Sequence, residues 1–262
     1  MVLLALFACA DPPVEAPVSE EGLTLDQMTV QAIQQFHEPA AADRVADLRD
    51  WLVVNRPAWA EDDWTGGYTL GPIGEADVST VAHSENTNWE EVLGAGVPLV
   101  VRGTVDGYAD AATEEDQVFA DPSTYIEWTR TITSGTAAGF VAGEPMETDN
   151  VIEKGGPFGV VIPYEAKKDF IWFDDVLAAR TWVPEEGWGE DGKNGIICGF
   201  TLEMWFEEDG ELIWYNGSWT QIATVIGDTF PEDVLVSEFI DGTIDYMLGT
   251  EAFVMGEYVP EE

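Results

Sequence analysis

The chain is short of positive charge, of histidine and of cysteine, and each shortage closes off some chemistry. Ten Lys and Arg stand against 51 Asp and Glu, a formal net charge of −41. A surface of that sign repels a phosphate backbone and an anionic bilayer face, so no nucleic-acid partner is expected. The two histidines, His37 and His83, are not spaced as a ligand pair, which removes the usual nitrogen-based metal centres. No Gly-x-Ser-x-Gly occurs, so a Ser–His–acid hydrolase has no support either. Two cysteines allow one disulfide at most, and Cys198, within Ile196–Phe200, reads as a buried, inert thiol. Beyond the N-terminus no run approaches the roughly 20 apolar residues that span a bilayer.

What remains is a chain of 262 residues, 45% hydrophobic with eleven Trp, which is enough to bury a core. It opens MVLLALFACADPP, an apolar run into Cys9 followed at once by polar and Pro-rich sequence. The tetrapeptide Leu6-Phe7-Ala8-Cys9 resembles the lipobox of bacterial lipoproteins, with a branched apolar residue three positions before the cysteine and a small one directly before it. The resemblance implies cleavage before Cys9 and a lipid on its thiol, with residues 1–8 as a truncated signal that lacks a basic segment and starts downstream of its natural beginning. Ala10 after the cysteine, rather than Asp, implies the outer membrane of the cell envelope, so the membrane is a partner through the anchor. Residues 9–22, rich in Pro, Glu and Ala, read as an extended tether, and 23–262 as one domain.

Hydrophobic spacing predicts helices over 23–36, with Thr24 as N-cap, and over 40–54, where Val45, Leu48, Trp51 and Leu52 share a stripe. A third is expected from Pro231 to Leu248, capped by Thr229 and closed by Gly249. Between them, strands are predicted at 68–73, 78–82, 98–108, 124–133 and 159–163, and long loops at 144–154 and 184–195. The clearest element is a hairpin over 199–222. Phe200, Leu202, Met204 and Phe206 alternate with polar residues and Trp205, and Asp209-Gly210 is a preferred type I′ turn. That register pairs Phe206 with Ile213, Met204 with Tyr215 and Phe200 with Trp219, and sets Trp205 opposite Trp214 on the other face. The expected class is α+β, an antiparallel sheet with helices at the N- and C-terminal ends; a β-sandwich or lipocalin-like barrel with helical decorations is the alternative.

Candidate sites are sparse. Hard oxygen donors for calcium occur at Asp106 and Asp110, and at Glu190 and Asp191, without EF-hand spacing. Any two of the many acids separated suitably in space would serve glycoside hydrolysis. Aromatic excess is the better functional hint. Trp182 and Trp188 flank an acidic loop, and with Trp205 and Trp214 they are the candidates for contact with a small hydrophobic or carbohydrate ligand. The leading reading is a lipid-anchored envelope protein with a non-catalytic binding or structural domain and no cofactor. An envelope hydrolase and a calcium-stabilised surface protein are the alternatives.

Overall fold

The computed structural model describes residues 14–15 (backbone only), 22–60, 66–156, 159–224 and 231–259. In chain order the elements are β1 (Val14–Glu15), α1 (Leu25–Gln34), α2 (Ala41–Val54), α3 (Arg56–Trp59), β2 (Tyr68–Leu70), β3 (Leu93–Val101) and α4 (Val105–Ala112). They continue with β4 (Tyr125–Ser134), α5 (Ala137–Val141), β5 (Met146–Gly155), β6 (Val161–Phe173), β7 (Val176–Trp182), β8 (Gly187–Trp188), β9 (Gly195–Glu208), β10 (Glu211–Ala223) and α6 (Glu232–Val254). The strands form one sheet in the order β1-β2-β3-β10-β9-β7-β6-β5-β4, with β8 beside β9. All pairs are antiparallel except β1 with β2. This is the expected α+β class.

The β9–β10 hairpin has the predicted register throughout its apolar part, including Trp205 opposite Trp214. Asp209 and Gly210 both take positive φ, 54° and 81°, as a type I′ turn requires. Because side chains alternate along a strand, the hairpin feeds two cores. Phe200, Leu202, Met204, Phe206, Ile213 and Tyr215 face α1 and α2. Trp205, Trp214 and Leu212 face the opposite way, toward α4 and α6.

That second face is curled. The ring of Tyr246, on α6, lies 5.5 Å from the Trp214 ring of β10 and 5.9 Å from the Trp128 ring of β4. Five strand spacings separate β10 from β4, about 24 Å in a flat sheet. One side chain reaches both only because the sheet bends around the helix. We call this concave side the inner face.

Several expectations are corrected. Residues 144–154 are not a loop but most of β5: Met146, Thr148, Asn150 and Ile152 point inward, while Glu147, Asp149 and Glu153 on the outer side disguise the alternation. The strand expected at 78–82 is replaced by a 3-10 turn at Glu75–Val78. Strand 98–108 starts earlier and stops at Val101, because Thr104 caps α4 by accepting from the Gly107 amide at 3.2 Å. Gly249 does not close α6, which continues to Val254; it sits against the Ala120 carbonyl, where a side chain has no room. Val14–Glu15, inside the expected tether, pairs with β2. Thr229 and Cys9 lie outside the described residues.

Replacing Gly210 with Val forces a β-branched residue into the left-handed region, at a cost of about 1–2 kcal/mol. A lower urea midpoint with unchanged slope is expected; an unchanged midpoint contradicts the turn geometry.

Candidate functional site

The inner face is filled at one end and hollow at the other. Toward the Asp209-Gly210 turn, α4 and α5 pack on Phe170, Leu177, Ala179, Trp205 and Trp214. Toward the opposite end, α6 and the sheet border a cavity of about 1330 Å³ that is open on one side. Its walls are aromatic and aliphatic, from Trp128, Ile152, Ile162, Tyr164 and Val183 on the sheet and Phe239 on α6. A space of this size exceeds the roughly 300–1,000 Å³ that encloses drug-sized ligands.

The boundary between the filled and hollow halves is a polar belt. Thr148 pairs with Lys168, Lys168 with Thr181, Thr181 with Thr201, and Thr201 with Ser218, so one row of polar residues crosses β5, β6, β7, β9 and β10. Ser218 Oγ donates to Thr201 Oγ1 at 3.1 Å, while the buried Thr181 Oγ1 has no hydrogen-bond partner. Such groups in an apolar interior are costly unless something polar meets them.

Beside the belt lies a buried ionic cluster. Lys168 is 4% exposed and Glu203 is 2% exposed; the ammonium donates to Glu203 Oε2. Tyr246 reaches down from α6, and its hydroxyl donates to Glu203 Oε1 at 3.0 Å. Arg130 on β4 is equally buried. Its guanidinium donates to Asn150 Oδ1 at 3.0 Å and the Ala112 carbonyl at 2.8 Å, and lies 5.4 Å from the Phe170 ring centroid. Burial pushes the Lys168 ammonium below the usual lysine range, against the opposing pull of Glu203. It pushes Arg130 down to about 10 and drives the Tyr246 phenol up. The set can hold a polar group by hydrogen bonds and charge at the inner limit of an otherwise apolar chamber.

The mouth is acidic. Asp121, Asp241 and Asp245 line it with Glu232 and Glu238, and burial raises Asp241 and Asp245 above the ordinary carboxylate range. Lys154 and Lys193 are the cations there, so three of the four lysines of the chain line this cavity.

Of the tryptophans singled out from sequence, Trp188 stands at the cavity rim and is 39% exposed. Trp205 and Trp214 are on the inner face but belong to its filled half, with rings tilted by 34° and 5.1 Å apart beneath Tyr108 and Tyr246. Trp182 is on the other face, with its ring 5.2 Å from the Arg180 guanidinium. Asp106 and Asp110 lie together on α4, apart from the cavity. Asp191 receives the amides of Lys193 and Asn194 and thereby shapes its own loop. Among the described residues no group of three or more His, Cys, Asp or Glu is arranged to hold a metal. The residues that matter most, Lys168, Glu203, Tyr246 and Trp128, were not among the sequence candidates. Lys168 carried a signal, because it shares a two-residue period with Ile162, Tyr164, Ala166 and Phe170 and is the charged member of a buried face.

The sequence matches no protein-family model and no curated protein. Among solved structures it is similar to human STARD10, at 9% identity over 79% of this chain and 79% of that one, with a TM-score of 0.44. It is also similar to a STAR-related lipid transfer protein from Xanthomonas axonopodis, at 7% identity over 64% and 96%, with a TM-score of 0.42. TTHA0849 from Thermus thermophilus gives 10% identity over 64% and 99%, with a TM-score of 0.42.

Lys168→Met removes the one cation bonded directly to Glu203, Arg130 being engaged by Asn150 and Ala112, and is expected to cost about 3–5 kcal/mol. Lys168→Met with Glu203→Gln removes both charges and should recover most of that loss. Urea unfolding of the single and double variants measures the coupling, and additive effects contradict a buried pair.

Proposed function

We propose that the chain is a non-catalytic binding protein that takes a small, largely apolar ligand into the chamber between the inner sheet face and α6. The observation that carries this reading is the asymmetric packing of one face: α4 and α5 fill half of it, and the other half is a cleft of about 1330 Å³, open on one side and lined in large part by apolar side chains. A scaffold has no use for such a space, since empty apolar volume costs dispersion contacts. Hydrolysis by paired carboxylates is less well supported. Both oxygens of Glu203 are engaged, by Lys168 and Tyr246, and Asp121 Oδ1 is held by the Ser123 amide and hydroxyl. A hydrophobic ligand is favoured over a carbohydrate because the walls between belt and mouth carry the aliphatic side chains Ile152, Ile162 and Val183 beside their aromatics.

The direct test uses the neutral fluorophore N-phenyl-1-naphthylamine. It is expected to bind one site per chain with enhanced emission and to quench protein fluorescence through Trp128. Ile162→Trp, which fills the chamber from its wall, should weaken binding at least tenfold, about 1.4 kcal/mol, while leaving the fold intact. Equal binding by wild type and variant locates the probe elsewhere.

Attachment to the outer membrane of the cell envelope through Cys9 is the second part of the proposal, and it rests on the Leu6–Cys9 tetrapeptide. Wild-type protein made in a bacterium should partition into the detergent phase of Triton X-114, and Cys9→Ala into the aqueous phase. Detergent-phase recovery of the variant removes the anchor.

A further inference from the structure

The ionic cluster at the chamber floor, Lys168 and Glu203 lining the cavity with Arg130 packed behind them, holds more positive than negative charge in a chain where acids outnumber bases five to one. Arg130 and Lys168 are each 4% exposed, and Glu203 is the carboxylate between them. Glu203 is already bonded to Lys168 and Tyr246, while Arg130 is satisfied by two neutral oxygens, Asn150 Oδ1 and the Ala112 carbonyl. The charges that act on Arg130 and Lys168 come from Glu203, from Tyr246 and from each other. Asp121, 7% exposed, faces Lys154, and the remaining carboxylates lining this space, Asp241, Asp245, Glu90, Glu91, Glu232 and Glu238, are exposed at its mouth. One positive charge is therefore left uncompensated behind the polar belt, a condition that costs several kcal/mol when nothing meets it.

From this we infer that the occupant is an anionic amphiphile, one acidic group on an aliphatic or ring body, which enters head first and sets its anion against Lys168 and the Thr181 and Thr201 hydroxyls. The inference rests on the binding reading above and names its ligand class. The belt supplies the hydrogen-bond donors an anion accepts, among them the partnerless Thr181 hydroxyl. The walls between belt and mouth, Ile152, Ile162, Val183 and Trp128 among them, supply the surface for the body. Entry past an acidic rim opposes the anion, but rim charges in water are screened over about 8 Å at physiological salt, whereas the floor cluster is shielded from solvent.

The experiment displaces N-phenyl-1-naphthylamine from the full chain with laurate, 1-dodecanol and dodecyltrimethylammonium, three probes with one tail and different heads, each below its micelle concentration. Laurate should bind at least tenfold tighter than dodecanol, and the trimethylammonium probe weakest. Acetate and inorganic phosphate, which lack the tail, should leave the fluorophore in place. Lys168→Met should erase the preference for laurate over dodecanol. Glu203→Gln, which keeps a hydrogen-bond acceptor for Tyr246 and removes the negative charge, should increase it, so the sign of the effect survives even if the lysine variant does not fold. Equal binding of laurate and dodecanol, tighter binding of the cation, displacement by phosphate alone, or a reduced preference in Glu203→Gln each overturns the inference while leaving the binding reading standing. Failure of the fluorophore and of all three tailed probes to bind overturns the binding reading itself.

Discussion

The closure of this molecule depends on one tyrosine. Tyr246 touches Trp214 on the central strand β10 and Trp128 on the edge strand β4, and its hydroxyl ends on Glu203 of β9, beside β10. A flat sheet cannot present those three groups to a single ring, so the contacts of Tyr246 and the curl of the sheet are one constraint. Hydrophobic contact alone would let α6 slide along its seat. The hydrogen bond to a buried, charged acceptor fixes depth and rotation, since a misplaced hydroxyl leaves both itself and the carboxylate unsatisfied.

That constraint divides the inner face into a filled half and a hollow half. The filled half is dense with rings: Trp205, Trp214, Tyr108, Phe140 and Phe170 pack within 5–7 Å of one another, the spacing at which aromatic pairs attract. The hollow half draws rigidity from its frame, chiefly the ladders of β4, β5 and β6 and the Trp128–Asn150–Arg130 hydrogen bonds, in which one amide oxygen accepts from both the indole and the guanidinium. The opposite face is closed more simply by the α1–α2 pair. A clamp reinforces it, with Asp169 accepting from Arg180 at 2.8 Å and lying 2.8 Å from His37. With stability placed elsewhere, the chamber walls are free to stay unfilled.

The sequence made the hairpin legible and the chamber nearly illegible, for one physical reason. On β9 and β10 the helix-covered face is apolar and the Asp209-Gly210 turn sets the register, so alternation can be read directly. Helices α1 and α2 were equally readable from Leu25, Met28, Ile33, Val45, Leu48 and Trp51, all buried. On β5 and β6 the inner face is itself polar where it meets the cavity, at Thr148, Asn150 and Lys168, and the outer face is acidic. The hydrophobic period fails where the cavity begins. Reading a charged residue at an apolar position as a sign of a site, rather than as evidence against a strand, recovers β6. The curl that brings Trp128 to α6 has no local signature at all, because it is set by strand order across the whole sheet.

The surface charge and the buried cations are two sides of one distribution. Of the ten basic residues, Arg44, Arg49, Arg56 and Arg102 are paired with acids at the surface, Lys167 pairs with Asp149, and Arg180 lies under α1. Exposed pairs of this kind contribute little, about 0–1 kcal/mol each, and do not explain why so few cations are retained or where. Arg130 and Lys168 are different in kind, since they are withdrawn from water into a region where each interaction is screened less and desolvation is severe. Arg180 is as buried but is met by its own carboxylate, Asp169, whereas Arg130 and Lys168 share one. Glu203 and Tyr246 account for one of the two cations. The second is what distinguishes a floor built to meet an anion from a core that happens to contain a salt bridge.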